Sequence, residues 1–266
     1  MRASTNMKSA KNIFTARTKY ASISIVQKAD CVELRSDTDA LLSAINRENP
    51  QNLALANLEY LMGILLFLPA PHSILLLGTG GGSLIHFLRY HYPRCRLTSV
   101  DFDAELQELM QQKMLLPLAE ENLVYIADEA SHYLLECEHR FDLILVDIFS
   151  GAQSPGWLLE SSGIRQFHSL LTDQGAVAYN LLVDSDHAFS HFYRQLAQVY
   201  KQQTLYLPVE GFENTLVYAF RNRPPRHSMS HYISLAIEMA EIHGIDYRSL
   251  LSVIYTTNPV GSAIIY

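Results

Sequence analysis

Three aspartates each close a run of strand-like length: Asp101 after Arg96 to Val100, Asp128 after Leu123 to Ala127, and Asp147 after the apolar Leu143 to Val146. A fourth run, Ser73 to Leu77, opens instead into Gly78-Thr79-Gly80-Gly81-Gly82-Ser83, and a helical pattern starts directly behind it. Glycines at 78, 80 and 82 let the backbone turn sharply and let a ligand lie against the main chain with no Cβ in the way. A strand, a glycine turn and a helix in that order suit a nucleoside-type ligand. Asp101 follows about 20 residues later, where a carboxylate can accept both hydroxyls of a ribose. Asp103 is better placed to cap the helix that starts at Ala104. Asp128 can accept a hydrogen bond from an adenine amino group, cap the helix at Ala130, or do both. Asp147 must emerge at the same carboxyl edge, where ligand crevices concentrate in open α/β sheets, so a ligand-facing role is favoured over a loop contact.

Other chemistries find little support. The eleven histidines show neither HxH nor HExxH spacing, and Cys31, Cys95 and Cys137 show no CxxC spacing, so neither a metal site nor a disulfide framework is expected. No GxSxG or Cys-His arrangement points to a nucleophilic hydrolase.

The carboxylates need elements to hold them, and the periodicity supplies a repeated βα pattern. Strands are predicted at Ser73 to Leu77, Arg96 to Val100, Leu123 to Ala127, Leu143 to Val146, Ala176 to Leu181, Gln203 to Leu207 and Thr215 to Arg221, the last two as an antiparallel pair. Helices are predicted at Leu84 to His91, Ala104 to Met114, Ala130 to Glu136, Ile164 to Leu171 and His187 to Tyr200, with a turn at Asp173 to Gly175. Ahead of this core lies a polar tail of about a dozen residues. A β-hairpin follows from Tyr20 to Leu34, turning at Lys28 to Asp30, then a short helix or strand end at Asp39 to Asn46 and one helix from Leu53 to Phe67. Behind the core, Ser230 to His243 and Tyr247 to Tyr255 read as two helices joined at Gly244, the second capped by Asp246.

The expected divisions are an N-terminal tail and hairpin region, 1–49, a Rossmann-like nucleoside-binding core, 50–223, and a C-terminal helical extension, 224–266. A net charge of −7 lacks the cationic surplus that phosphate backbones require, so no nucleic-acid partner is expected. The apolar stretch Leu53 to Leu68 is interrupted by Asn57 and Glu59 and too short to span a bilayer; with no leader pattern at the N-terminus, a cytoplasmic location is expected.

Taken together, the hairpin, the Pro-preceded first strand, Gly78 to Ser83, Val100-Asp101-Phe102-Asp103, Asp128 and Phe141-Asp142-Leu143-Ile144-Leu145-Val146-Asp147 resemble the spermidine synthase (polyamine aminopropyltransferase) family over about Tyr20 to Arg221. The resemblance implies a seven-stranded class I S-adenosylmethionine-dependent methyltransferase fold. It further implies decarboxylated S-adenosylmethionine or S-adenosylmethionine as co-substrate, aminopropyl transfer to a small-molecule amine, and release of methylthioadenosine. Asp147 then corresponds to the acid that assists deprotonation of the attacking amine, and Asp101 to the ribose-binding acid. Gly81 stands where the family carries an aspartate for the aminopropyl amine, Ser150 stands where it carries a second amine-binding aspartate, and Glu59-Tyr60 are the nearest match to its Tyr-His-Glu motif.

Two other readings remain. A methyltransferase on the same fold would gain from Gly81, which removes repulsion against the carboxylate of intact S-adenosylmethionine. Leu76 speaks against it, since general methyltransferases usually carry an acid two positions before the first glycine. A non-catalytic nucleoside-binding protein would use its C-terminal helices for a partner or a homodimer contact, although covering the sheet edge is the preferred role for them.

Overall fold

The computed structural model describes residues 11–258, apart from 29, 114, 152 and 226. The N-terminal region is a four-stranded antiparallel sheet in chain order: β1 (Lys11–Arg17), β2 (Ser22–Lys28), β3 (Cys31–Ser36) and β4 (Leu41–Asn46). The predicted hairpin is β2–β3, where Ile23, Ile25, Val32 and Leu34 alternate onto the buried face. Two further strands flank it. β4 occupies the segment left open between helix and strand end; a bulge at Leu34/Arg35 breaks its register, and it buries Ser43, Ala44 and Ile45 in succession, so it carries no period of two. The first ten residues of the polar tail lie outside the described residues.

The predicted single helix from Leu53 to Phe67 is shorter and changes pitch. Helix α1 (Ala56–Met62) gives way to a 3₁₀ turn over Gly63–Leu66. At this point the Tyr218 hydroxyl donates to the Tyr60 carbonyl and presses on Gly63, a tertiary contact that helix propensity cannot report.

The core follows as β5 (Ser73–Leu77), α2 (Ser83–His91), β6 (Arg96–Asp101), α3 (Ala104–Gln112), β7 (Leu123–Ala127), α4 (Ala130–Glu136), β8 (Phe141–Val146), α5 (Ser161–Ser169), β9 (Leu171–Leu181), α6 (Asp186–Val199), β10 (Thr204–Pro208) and β11 (Thr215–Phe220). The sheet runs β7-β6-β5-β8-β9-β11-β10, parallel except for β11, which is antiparallel to both its neighbours. Alternate residues of the central strands feed the two faces. Ile74, Leu76, Leu143 and Leu145 join the core shared with α1 and α2, and Leu75, Leu77, Ile144 and Val146 join the core shared with α5 and α6. The turn predicted at Asp173 to Gly175 lies inside β9, which starts at Leu171; pairing with β8 steps from Phe141↔Leu171 to Leu143↔Ala176 across an irregularity. Its glycine and polar residues signalled the break but not that the strand continues through it.

Helices α7 (Met229–His243) and α8 (Tyr247–Thr257) close the chain around Gly244, with Asp246 capping α8 through the Ser249 amide at 3.0 Å. Both packing and hydrogen bonds tie them to the sheet edge. Asn258 behaves as a surrogate strand for β10, accepting from the Tyr206 amide at 3.1 Å and donating to its carbonyl at 3.0 Å. Among the described residues no helix is long and apolar enough to cross a membrane.

His243 locks α7 to the core. Its ring packs on His91 at 4.7 Å and Phe87 at 5.2 Å, and its Nδ1 shares a 2.8 Å hydrogen bond with the Tyr247 hydroxyl. Burial, reinforced by His91, pushes its pKa down to about 4. The folded state therefore excludes a proton that the unfolded chain accepts near pH 6.5, so this packing stabilises fully above that value and loses its contribution as pH falls toward 4. Thermal unfolding of the native chain should lose more between pH 7 and pH 4.5 than that of His243→Leu; equal losses would contradict the assignment.

Candidate active site

The glycine turn is shaped by what lies behind it and open where a ligand would approach. Gly78 adopts φ +95°, and a Cβ there would strike the Asp147 backbone, which brings the turn and the end of β8 into direct apposition. Gly80 adopts φ +48° with nothing within 4 Å of a Cβ position, leaving the main chain approachable. Gly82, also left-handed, starts α2.

Asp101 holds this turn. Its Oδ2 accepts from the Thr79 amide at 2.8 Å and the Gly80 amide at 3.2 Å, while Oδ1 accepts from the Asp103 amide at 3.0 Å. A carboxylate has about four lone-pair positions, so one remains on Oδ1 and a ribose hydroxyl can donate to it without disturbing the others. Asp103 caps α3 as predicted, accepting from the Leu106 amide at 3.0 Å, and its other oxygen accepts from the Thr18 hydroxyl at 2.6 Å. That second bond joins the β1–β2 turn of the N-terminal sheet to the loop behind Asp101.

Asp128 stands beside Asp101 at the carboxyl edge, where β6 and β7 pair through Asp101↔Ala127. The cap of α4 is Glu129, which accepts from the Ser131 and His132 amides, so the capping role weighed for Asp128 belongs to its neighbour. Asp128 instead engages His132 at 2.8 Å; that hydrogen bond holds its pKa below, and the imidazole's pKa above, their ordinary values.

Asp147 sits in different surroundings. It leaves β8 partly buried, and Asn180 of β9 donates to its Oδ1 at 2.8 Å. Burial pushes its pKa up to about 6, against the opposing effect of the Asn180 amide. Asn180 in turn accepts from Asn214 at 2.8 Å. The sequence reading passed over both asparagines. Asn180 had a signal, a lone amide within the apolar run Ala176 to Leu181; Asn214 lies in a polar connection and had none.

The departures at 81 and 150 also have structural settings. A Cβ on Gly81 would meet the Ser43 hydroxyl at 2.5 Å, and Ser43 is bonded to Ser83 at 2.8 Å, so β4 fills the space a side chain at 81 would need. Ser150 is exposed in a turn closed by its amide to the Gln153 carbonyl at 2.7 Å. Two open hollows along α5 and α6 are lined by none of the residues nominated for the site.

The sheet order and glycine-turn edge define a Rossmann-like α/β protein of the class I methyltransferase fold. The solved structure of a probable spermidine synthase from Corynebacterium glutamicum superimposes with a TM-score of 0.71 over 92% of this chain and 94% of its own, at 19% identity. A spermidine synthase in complex with the transition-state analogue AdoDATO gives a TM-score of 0.62 over 88% of each chain at 14% identity. A polyamine aminopropyltransferase of Neisseria meningitidis serogroup A is 27% identical over 245 residues, covering 92% of this chain and 93% of its own. No family model matches. Over most of its length the chain is similar in sequence to polyamine aminopropyltransferases, and its fold is that of the solved spermidine synthases.

A carboxylate whose pKa is raised by the fold is a cost to stability once ionised: below the ordinary value of 3.8 it carries no penalty, and the penalty is complete above about pH 6. Asp147→Asn, which keeps the shape, should therefore melt higher than the native chain at pH 8, by up to about 3 kcal/mol of unfolding free energy, with the gap closing toward pH 4. A variant melting lower at pH 8 would show that Asp147 is stabilised as an ion.

Proposed function

We propose that this edge binds the nucleoside of decarboxylated S-adenosylmethionine and transfers its aminopropyl group to a small amine. Gly78, Gly80 and Gly82 would receive the ligand against the main chain, Asp101 the ribose hydroxyls and Asp128 the adenine amino group. The observation that carries the proposal is the position of Asp147, directly against the glycine turn yet withdrawn enough from water to titrate near pH 6.

The step is a displacement. The lone pair of a neutral acceptor nitrogen forms a bond to the aminopropyl carbon on sulfur, the C–S bond breaks with its electrons moving to sulfur, and methylthioadenosine leaves as a neutral thioether. The nitrogen gains positive charge as the bond forms, and Asp147 takes its proton. Most of the acceleration comes from aligning nitrogen, carbon and sulfur, with the carboxylate adding general-base assistance. An ionised Asp147 at this edge also disfavours a second carboxylate nearby, which supports the decarboxylated donor over the intact one. Gly81 and Ser150 supply no negative charge, so the acceptor favoured is one with less cationic character than a diamine dication.

Incubation with decarboxylated S-adenosylmethionine and a panel of monoamines and diamines should release methylthioadenosine, with kcat rising as pH passes through about 6. Asp147→Asn should lower kcat by about 10²-fold or more with little change in donor KM. Methylated product from intact S-adenosylmethionine, without methylthioadenosine from the decarboxylated form, would replace this reading with methyl transfer.

A further inference from the structure

Behind Asp147 lie two carboxamides that the displacement itself does not require. Asn180 is fully buried on β9, and Asn214, also buried, sits in the connection between β10 and β11, where its carbonyl accepts from the Val209 amide at 3.1 Å and closes the turn. They form a chain with a direction: Asn214 Nδ2 donates to Asn180 Oδ1 at 2.8 Å, and Asn180 Nδ2 donates to Asp147 Oδ1 at 2.8 Å. The direction is chemically determined. An ionised carboxylate only accepts, so Asn180 must turn its NH₂ toward Asp147 and its carbonyl away; that carbonyl needs a donor, and Asn214 provides one. The Asn214–Asn180 link is buried and the Asn180–Asp147 link partly so, and reversing the chain would leave a carbonyl facing a carboxylate or an amide unsatisfied.

We infer that Asn180 and Asn214 act as a positioning relay for Asp147, fixing one carboxylate oxygen and keeping the group an acceptor. The inference rests on the proposed role of Asp147 as proton acceptor. No described hydrogen bond reaches Oδ2, which is therefore the oxygen left for the acceptor nitrogen. A neutral Asp147 could donate to Asn180 only if that amide flipped, and Asn214 opposes the flip, so the relay favours the ionised form against the effect of burial. Among the described residues, burial and the Asn180 amide account for the titration of Asp147; no charged side chain of β5, β6, β8, β9 or the β10–β11 connection enters. Asn214 thus tunes a carboxylate that it does not touch.

The test is a site-resolved carboxyl NMR titration of Asp147 in the native chain and in Asn214→Leu, alongside the pH profile of methylthioadenosine release. Loss of the donor should raise the Asp147 midpoint by about one pH unit, a tenfold change in proton affinity, and move the acid limb of kcat by the same amount while donor KM holds. Asn214→Ala provides the smaller companion if Asn214→Leu does not fold: it removes the same donor without adding charge and should raise the midpoint by a similar amount. An unmoved Asp147 midpoint in a folded Asn214 variant overturns the relay, whatever the enzyme does. A shifted midpoint without product from any donor leaves the relay standing and removes the aminopropyl-transfer reading instead.

Discussion

The carboxylate of Asp101 is the interaction on which this edge depends. It gathers three backbone N–H groups from two loops, Thr79 and Gly80 from the turn after β5 and Asp103 from the turn after β6. Without it, the Thr79 and Gly80 amides lose their acceptor, and a turn with left-handed glycines at 78, 80 and 82 keeps only the Gly78 amide to the Val100 carbonyl at 2.9 Å and the Gly82 amide to the Thr79 carbonyl at 3.0 Å. The same clasp sets Asp103 at the start of α3, and through the Thr18 hydroxyl it reaches the N-terminal sheet. Two carboxylates in series therefore tie the glycine turn, a helix start and the N-terminal sheet together, Asp101 holding the turn and the Asp103 amide, and Asp103 holding the helix start and Thr18. Charge-assisted hydrogen bonds from backbone amides are among the stronger ones available to a partly solvated acid.

Asp147 shows what the same side chain becomes when the fold gives it less. It receives one described side-chain hydrogen bond and sits deeper, so its proton is held to about pH 6. Two carboxylates on one sheet edge thus stand in different surroundings, Asp101 accepting from three backbone amides and Asp147 from one buried side-chain amide. The two positions are mechanically linked, because Gly78 lies against the Asp147 backbone while its neighbours Thr79 and Gly80 hang from Asp101.

The parts legible in the sequence were those whose pattern is local. The apolar runs of β5 and β8, buried on both faces, announced parallel strands, and Gly244 and Asp246 marked the joint between α7 and α8. What escaped was decided by contacts distant in the chain. β4 has no alternation because a bulge shifts its register and it packs under the glycine turn, where Ser43 meets Gly81. The 3₁₀ turn after α1 answers to Tyr218, far along the chain. At the site, Asp101 and Asp147 could be nominated because each ends a strand, whereas the Asn214–Asn180 chain exists only once β9 and β11 are neighbours in the sheet. Glu129 rather than Asp128 caps α4, a choice between adjacent acids that spacing could not make.

Asp101 is proposed to organise a nucleoside site for the decarboxylated donor. The direct measurement is titration calorimetry of the native chain and Asp101→Asn with decarboxylated S-adenosylmethionine, intact S-adenosylmethionine and methylthioadenosine. Tightest binding of the decarboxylated form by the native chain and weakened binding of all three by Asp101→Asn are predicted, because an amide has one accepting oxygen where the carboxylate has two, so either the clasp on the turn or the acceptor proposed for the ribose is lost. Undiminished binding by Asp101→Asn, or no binding of any of them by the native chain, would contradict the proposal.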